Sequence, residues 1–492
     1  MWTADDLKDL VRERLGDYLF IVVANRQPYV HTFNKGKIEC RRSVGGVVSA
    51  LDPVMQACQG LWVAHGNGDA DKQRADAQGK LKVPPEDPRY VLKRIWMTKK
   101  EEEEFYYGYS NEALWPLSHT AFRRPVFEKG DWETYQKINE RFARAVIEEI
   151  GDKKAFVWIQ DYHLCLLPKY LKELAPKQLI IAHFWHIPWA NYEIFRICPQ
   201  GKEILEGLLA NDLLGFHTRY HCNNFLDVID REVECKIDRE KQAVVRGDHQ
   251  TLIRPYPISA DFEGINRMVD EPQRGTLQES FISEYNLQDQ KIILGVDRID
   301  YTKGIPEKIL AIDMLLDNHP ELKGKVMFWQ IGVVTRLHIA EYKKLNDEIN
   351  ALVEQVNWKH ATDGWKPVVL VRRQFFLKEL VAIYNLADVM VVGALHDGMN
   401  LVAKEYVAAR KDEKGALVLS QFTGAARELT EAVLINPYDR EQFSEGLWTA
   451  LNFTEEERGK RMRKMREVLK VNNIFRWSGK IISELLSFEF KE

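Results

Sequence analysis

The sequence predicts an α/β protein built on two doubly wound parallel sheets, and three observations carry that prediction. Short apolar runs rich in β-branched residues alternate with helical patterns along nearly the whole chain. Such alternation is the mark of βα units whose strands are covered by helices on both faces. At 492 residues the chain exceeds what one core usually holds, so two domains are expected. Two prolines in Arg254-Pro255-Tyr256-Pro257-Ile258 interrupt the pattern before a second βα series begins. The expected domains are therefore residues 1–255 and 256–472.

In chain order, strands are expected at 19–24, 156–159, 179–183 and 213–216 in the first domain. The second series is 292–296, 326–331, 368–371, 389–392, 416–419 and 432–435. Between them lie helical stretches such as 132–150, where Trp132, Tyr135, Ile138, Phe142 and Val146 recur every three or four residues. Thr98 and Glu101 have capping-box spacing, so the acidic run at 101–104 reads as the solvated start of a helix and not as a binding patch. Residues 473–488 carry Ile474, Trp477, Ile481 and Leu485 at helical spacing, a stripe that needs a partner surface. No short-period repeat or low-complexity linker is found.

Composition narrows the function classes. A net charge of −4 gives no electrostatic footprint for nucleic acid or an anionic membrane. No apolar run approaches the ~18 residues of a membrane span, and the charged amphipathic start does not resemble a signal peptide. The six cysteines (40, 58, 165, 198, 222 and 235) show no CxxC pairing, as expected of reduced thiols in a cytoplasmic enzyme. His217 and His221 flank a metal-like spacing with Cys222, but no further ligand pattern accompanies them, so no metal is expected.

The densest chemistry lies at 385–410, NLADVMVVGALHDGMNLVAKEYVAAR. An apolar strand ends in a loop with His396, Asp397 and Gly398, and a helix begins near Asn400. A strand feeding a helix through such a loop aims backbone N–H groups above the sheet, a geometry suited to phosphate. Asp397 and Glu405 are not needed there for charge, so they suit hydroxyl groups; diphosphate plus hydroxyls describes a nucleotide sugar. Arg298 and Lys303 follow a strand in GVDRIDYTKGIPEK and could clamp a diphosphate; the plain alternative is two surface cations. His186 in HFWHIPWA and the Gly45-Gly46 pair in SVGGVVSAL are weak signals alone, since a lone His is more often a satisfied core group and paired glycines usually mark only a turn.

The segment DGMNLVAKEYVAA followed by LVLSQFTGAARELTEAVLINPYD resembles the C-terminal half of trehalose-6-phosphate synthases. The resemblance continues backward through GVDRIDYTKGIPEK, HFWHIPWANYEIF, WIQDYHLCLLP, YSNEALWPLSH and VVANRQP, in order from about residue 20 to residue 440. These are retaining glycosyltransferases of the GT-B type, with two Rossmann-like domains facing a cleft. The resemblance implies an N-terminal acceptor domain, a C-terminal nucleotide-sugar donor domain, and a last helix, 473–492, that crosses back onto the first domain. It implies transfer of glucose from a nucleoside-diphosphate glucose, with UDP-glucose favoured, to glucose-6-phosphate. The product would be α,α-trehalose-6-phosphate, formed by front-face attack with no cofactor and no metal.

Residue by residue, the resemblance places Arg298 and Lys303 on the diphosphate and Asp397 on the donor sugar hydroxyls. Gly398 and the backbone amides of Met399, Asn400 and Leu401 would lie at the phosphates, and Glu405 at the ribose. His186 would contact the donor glucose, and Gly45 and Gly46 match a donor-contacting loop. Arg26, Tyr106, Trp115 and Arg336 match the acceptor pocket, with Asp161 on the acceptor side. For Tyr106 and Trp115 core packing is the alternative. The catalytic set is thus Asp161, His186, Arg298, Lys303 and Asp397. Gln160, His396, Trp185, Ala190 and His65 stand where the family commonly has His, Arg, Leu, Pro and Trp. Glucosylglycerol-phosphate synthases, which would use glycerol-3-phosphate, share the architecture and form the alternative. A non-catalytic sugar-phosphate sensor is disfavoured by the presence of Arg298, Lys303 and Asp397. The sequence leaves a homo-oligomer open.

Overall fold

A computed structural model describes residues 2–43, 45–362 and 364–490. The chain divides into two units, Met1–Ile258 together with Ile474–Glu492, and Ser259–Asn473.

The first unit holds a ten-stranded sheet. Its parallel centre runs His249–Pro255, Leu213–Phe216, Leu179–Phe184, Ala155–Gln160, Leu19–Arg26, Leu61–His65 and Tyr90–Ile95. Antiparallel strands close both edges: Lys236–Asp238 and Ala243–Arg246 on one side, Lys80–Val83 on the other. Every residue of Ala155–Gln160 and Leu179–Phe184 is buried, as central strands covered on both faces must be. Burial of each aliphatic side chain there contributes about 1.5–3 kcal/mol. A separate hairpin pairs Tyr29–Asn34 with Lys37–Arg42 through a turn with positive φ at Lys35 and Gly36.

The sequence expectations missed the hairpin, the three antiparallel edge strands, and the parallel strands His249–Pro255, Leu61–His65 and Tyr90–Ile95. The last reads as polar because it contains Lys93 and Arg94, yet both are buried. Lys93 Nζ donates to Glu149 at 2.9 Å, and Arg94 meets the fully buried Asp71 at 2.9 Å. Charge pairing across elements satisfies these side chains, and no local spacing reveals such partners.

The Thr98 capping box is present. The helix it starts widens over Glu103–Leu114 into π-helical turns before returning to α geometry at Trp115–His119. Helix Lys129–Ile150 buries Trp132, Tyr135, Ile138, Phe142 and Val146, the stripe read from the sequence. Helix Ile474–Leu485 turns its stripe onto the first unit's sheet. There Trp477 packs 5.1 Å from Trp158, and its Nε1 donates to the Tyr256 carbonyl at 3.2 Å. Arg254 Nε and Glu484 bond at 2.9 Å beside them.

The second unit holds a six-stranded, wholly parallel sheet in the order Val368–Val371, Val326–Val333, Lys291–Arg298, Val389–Val392, Ala416–Ser420 and Val433–Ile435. Numbered within the unit, this order is 3-2-1-4-5-6. The chain therefore reverses its winding between Lys291–Arg298 and Val389–Val392, and the crevice beyond those two strand ends is where open α/β sheets bind ligands. In the first unit the same reversal falls between Leu19–Arg26 and Ala155–Gln160.

Candidate active site

In the second unit the candidate residues collect at that reversal. Arg298 ends one strand, and the turn Tyr301–Lys303 leads through Gly304 into helix Ile305–Asn318. Pro306 occupies that helix's first turn, where its missing N–H costs nothing. Gly304 has φ +60, and a Cβ on it would lie 2.1 Å from the Gly393 carbonyl oxygen. Only glycine lets these two strand-end loops approach so closely. The Leu395 N–H donates to the Thr302 carbonyl at 2.8 Å, which fastens them together.

The loop after Val389–Val392 is held from its other side as well. Asp397 N–H donates to the Phe422 carbonyl at 3.1 Å and Ala425 N–H to the Met399 carbonyl at 2.8 Å. Asn400 adopts φ +75 and caps helix Leu401–Ala409, its Oδ1 accepting from Ala403 N–H at 3.0 Å. Asparagine tolerates this left-handed conformation better than most residues. With that N–H satisfied, Leu401 and Val402 begin the helix with amides that have no intrahelical acceptor, at its positive end.

Lys303 Nζ and Asp397 Oδ2 pair at 2.5 Å, and Asn400 Nδ2 donates to the same carboxylate oxygen at 3.2 Å. Gly398, Met399 and Asn400 are buried, and Leu401 is half-buried. Glu405, on the same helix, accepts from the Tyr384 hydroxyl at 3.0 Å. Burial pushes its carboxyl up to about 7, against the lowering effect of that hydrogen bond. Asp300 is fully buried beside Arg298. Burial alone would raise its carboxyl, but Arg336 and then Arg298 hold it below the ordinary range.

Arg336, expected in an acceptor pocket, is 6% exposed with φ +53. Its Nη1 meets Asp300 Oδ2 at 3.2 Å and the Tyr342 hydroxyl at 2.6 Å. A sugar phosphate would have to share this guanidinium with Asp300.

In the first unit the candidates also stand at ends of parallel strands. Arg26 is exposed at the end of Leu19–Arg26, and its Nη2 donates to the Tyr106 hydroxyl at 3.3 Å. Gly45, with φ +153, precedes helix Gly46–Cys58, and a Cβ there would sit 3.2 Å from Arg26 Nη1. Arg26, Tyr106 and the glycine pair therefore form one group. The Tyr106 ring stacks on His163 at 5.8 Å. Trp115 is 5% exposed and packs 4.0 Å from His119 and 5.8 Å from Tyr162.

A second group forms around Asp161, which follows strand Ala155–Gln160 with φ +71. Its carboxylate Oδ1 accepts the N–H groups of Tyr162 at 3.0 Å and His186 at 3.2 Å. Its carbonyl accepts from His183 Nε2 at 2.9 Å. The buried His186 ring contacts Gln160 Oε1 through Nε2 at 2.8 Å. Burial and the neighbouring His217, His183 and His163 depress the His186 imidazole well below its ordinary value, so it is neutral.

Several substituted positions prove adjacent to these groups. His65 is the strand partner of Arg26, and burial lowers its ring to about 4. Trp185 is buried 4.8 Å from Trp189, and Ala190 is buried in the same segment. His396 is half-buried in the second unit's loop.

Asp71 lies far in sequence from every assigned motif, yet it supports one of them. It is fully buried, and its carboxylate is bound by Arg94, by the His31 and Gly68 amides, and by Gln27 of the VVANRQP motif at 2.5 Å. His217 Nε2 donates to the His186 carbonyl at 3.0 Å, and His221 Nδ1 accepts from Trp189 N–H at 3.2 Å. Both rings thus position the 186–189 segment. Among the described residues the one acidic-histidine cluster with metal-like spacing is Asp313, Asp317 and His360. Lys359 already pairs with both carboxylates, at 2.9 Å and 2.5 Å. No helix among the described residues is long and apolar enough to cross a membrane.

Comparison with known proteins agrees with this architecture. The profile of Glycosyltransferase family 20 matches residues 18–487. A trehalose-6-phosphate synthase of Mycobacterium ulcerans is 36% identical over 481 residues, covering 96% of this chain and 95% of that protein. The UDP-forming alpha,alpha-trehalose-phosphate synthase of Pichia angusta is 34% identical, covering 94% and 98%. Among solved structures, the E. coli trehalose-6-phosphate protein bound with UDP-2-fluoro glucose superposes with a TM-score of 0.84 at 30% identity, covering 96% and 100%. A UDP-forming synthase of Burkholderia xenovorans in complex with glucose-6-phosphate gives 0.84 at 28% identity, covering 95% and 99%. With its two doubly wound units of the GT-B class, this chain belongs to glycosyltransferase family 20.

Proposed function

We propose that this protein transfers glucose from a nucleoside-diphosphate glucose, UDP-glucose being favoured, to glucose-6-phosphate with retention, forming α,α-trehalose-6-phosphate. The observation that carries the proposal is the grouping of Arg298, Lys303, Asp397 and the Leu401–Ala409 helix start at the strand-order reversal of the second unit, in a chain matched over 94–96% of its length by trehalose-6-phosphate synthases. Relatives of that kind have been crystallised with a UDP-glucose analogue and with glucose-6-phosphate.

In this reading the second unit, Ser259–Asn473, is the donor domain and the first, Met1–Ile258 with the last helix, the acceptor domain. Arg298, Lys303 and the amides from Met399 to Leu401 hold the diphosphate and stabilise the charge that develops as the nucleoside diphosphate leaves. Lys303 sits between Asp397 and the diphosphate, and the Asp397 carboxylate accepts from donor-sugar hydroxyls. Glu405 accepts from the ribose, and His186 with the Gly45-Gly46 loop meets the transferred glucose. Arg26, Tyr106 and Trp115 hold the phosphorylated acceptor, with Asp161 at its reacting end and Arg336 in support. The leaving diphosphate takes the acceptor proton, so the protein supplies position and electrostatics without a metal or a cofactor. The site of action is the cytoplasm.

The test is incubation of purified protein with UDP-glucose and glucose-6-phosphate after exhaustive chelation, with the product read by NMR. An α,α-linked disaccharide phosphate supports the proposal. No transfer, or transfer that requires added Mg²⁺, contradicts it.

A further inference from the structure

Gln160 is 1% exposed at the end of a central strand of the first unit, and its Oε1 lies 2.8 Å from His186 Nε2. Its own Nε2 points the other way, toward the Trp158 carbonyl at 3.4 Å. An amide oxygen only accepts, so the ring nitrogen facing it must carry the proton. We infer that Gln160 is a positioning residue that holds His186 as the Nε2–H tautomer, so that His186 presents Nδ1 as an acceptor for a sugar hydroxyl and never as a donor. This inference rests on the proposed contact between His186 and the transferred sugar.

The surroundings reinforce that assignment. The His186 backbone is fixed at both polar groups, its N–H by Asp161 and its carbonyl by His217. The ring packs against Phe184 at 4.6 Å and Trp477 at 6.3 Å. The titratable groups facing it are His163 and Asp161 after one strand, His183 on its own strand and His217 after the next. Three imidazoles near a buried ring disfavour its protonation. A histidine at position 160 could donate or accept and would itself titrate. Glutamine removes both freedoms.

The experiment uses selectively ¹⁵N-histidine-labelled full-length protein, with His186 assigned by a His186→Asn variant. The result expected is a pyrrole-type Nε2 and a pyridine-type Nδ1, unchanged between pH 5.5 and 8. A His186 carrying its proton on Nδ1, or titrating within that range, overturns the inference whether or not the enzyme transfers glucose. Two variants supply a kinetic readout. Gln160→Glu keeps an acceptor in place but adds a charge that favours the imidazolium, so kcat/KM for the donor should acquire a new acid limb. Gln160→Leu lacks an acceptor and should lose about 10-fold or more without gaining that limb. A Gln160→Glu profile that parallels wild type contradicts the positioning role. If wild type shows no transfer to any acceptor, the proposed function fails, and the tautomer measurement still decides the role of Gln160.

Discussion

Lys303 and Asp397 are bonded to each other, and that pairing shapes what single substitutions should do. On the proposed assignment, removing Lys303 takes away one of the two cations that answer the departing diphosphate, and removing Arg298 takes away the other. Lys303→Ala and Arg298→Ala should each lower kcat/KM by roughly 10²–10³, measured on protein whose folding is confirmed by circular dichroism. Wild-type turnover in both variants would refute the diphosphate assignment. Asp397→Asn should behave differently. It releases Lys303 from its carboxylate partner, so affinity for the nucleoside diphosphate should hold or improve while transfer is lost. Calorimetric titration beside a turnover assay separates these two effects, and a collapse of affinity would make Asp397 a structural turn residue. Glu405 adds a pH dependence. Its carboxyl is raised to about 7 by burial, so the protonated form is favoured in the fold. The stability it contributes is present at acidic pH and lost as pH rises through about 7. On the proposed ribose contact, a carboxylate accepts more strongly from a hydroxyl than a carboxylic acid does, so UDP-glucose affinity should strengthen from pH 6 to 8. The donor's diphosphate does not titrate there, and Glu405→Gln should flatten the profile. An unchanged slope in that variant would assign the titration elsewhere.

At the scale of elements, the site depends on loops drawn together by glycine. A Cβ on Gly424 would lie 2.1 Å from the Gly398 carbonyl oxygen, a clash with backbone that cannot rotate away. Gly424→Ala should destabilise the protein by about 1–3 kcal/mol and weaken donor binding as the 397–400 loop shifts. Gly459, inside helix Glu455–Val471, has nothing within 4 Å of an added Cβ, so Gly459→Ala should stabilise by about 0.5–1 kcal/mol. Differential scanning calorimetry checks both signs, and a neutral Gly424→Ala would contradict the close packing of the two loops. The second unit's strands were legible because apolar runs such as Val389–Val392 are bounded by clear turn residues. In the first unit Tyr90–Ile95 was not, because its buried Lys93 and Arg94 are matched by Glu149 and Asp71 from other elements. The hairpin Tyr29–Asn34 with Lys37–Arg42 has its signal in Lys35-Gly36, a serviceable two-residue turn. The widening at Glu103–Leu114 has no sequence signature that we can identify.

Across the whole molecule, alternating βα units were enough to reveal the fold class, since parallel strands need crossover helices. Which candidate residues stand at strand ends was legible through motifs. What those residues touch was not. The pairings Lys303–Asp397, Arg336–Asp300 and Gln160–His186 span 94, 36 and 26 residues, and each depends on the strand order of a folded sheet. The acceptor is where this matters most. Arg26, bonded to Tyr106 and flanked by Gly45 and His65, is the exposed cation of the first unit's group, whereas Arg336 is already matched by Asp300. Arg26→Ala should therefore raise the KM for glucose-6-phosphate by one to two decades, the size of a lost charge-assisted hydrogen bond of about 1.5–3 kcal/mol, and leave donor KM nearly unchanged. The most direct measurement is kcat/KM for glucose-6-phosphate against glycerol-3-phosphate with the same nucleotide sugar, product configuration being read by NMR. The account predicts that glucose-6-phosphate wins and yields an α,α-linkage; preference for glycerol-3-phosphate, or an inverted anomeric centre, would contradict it.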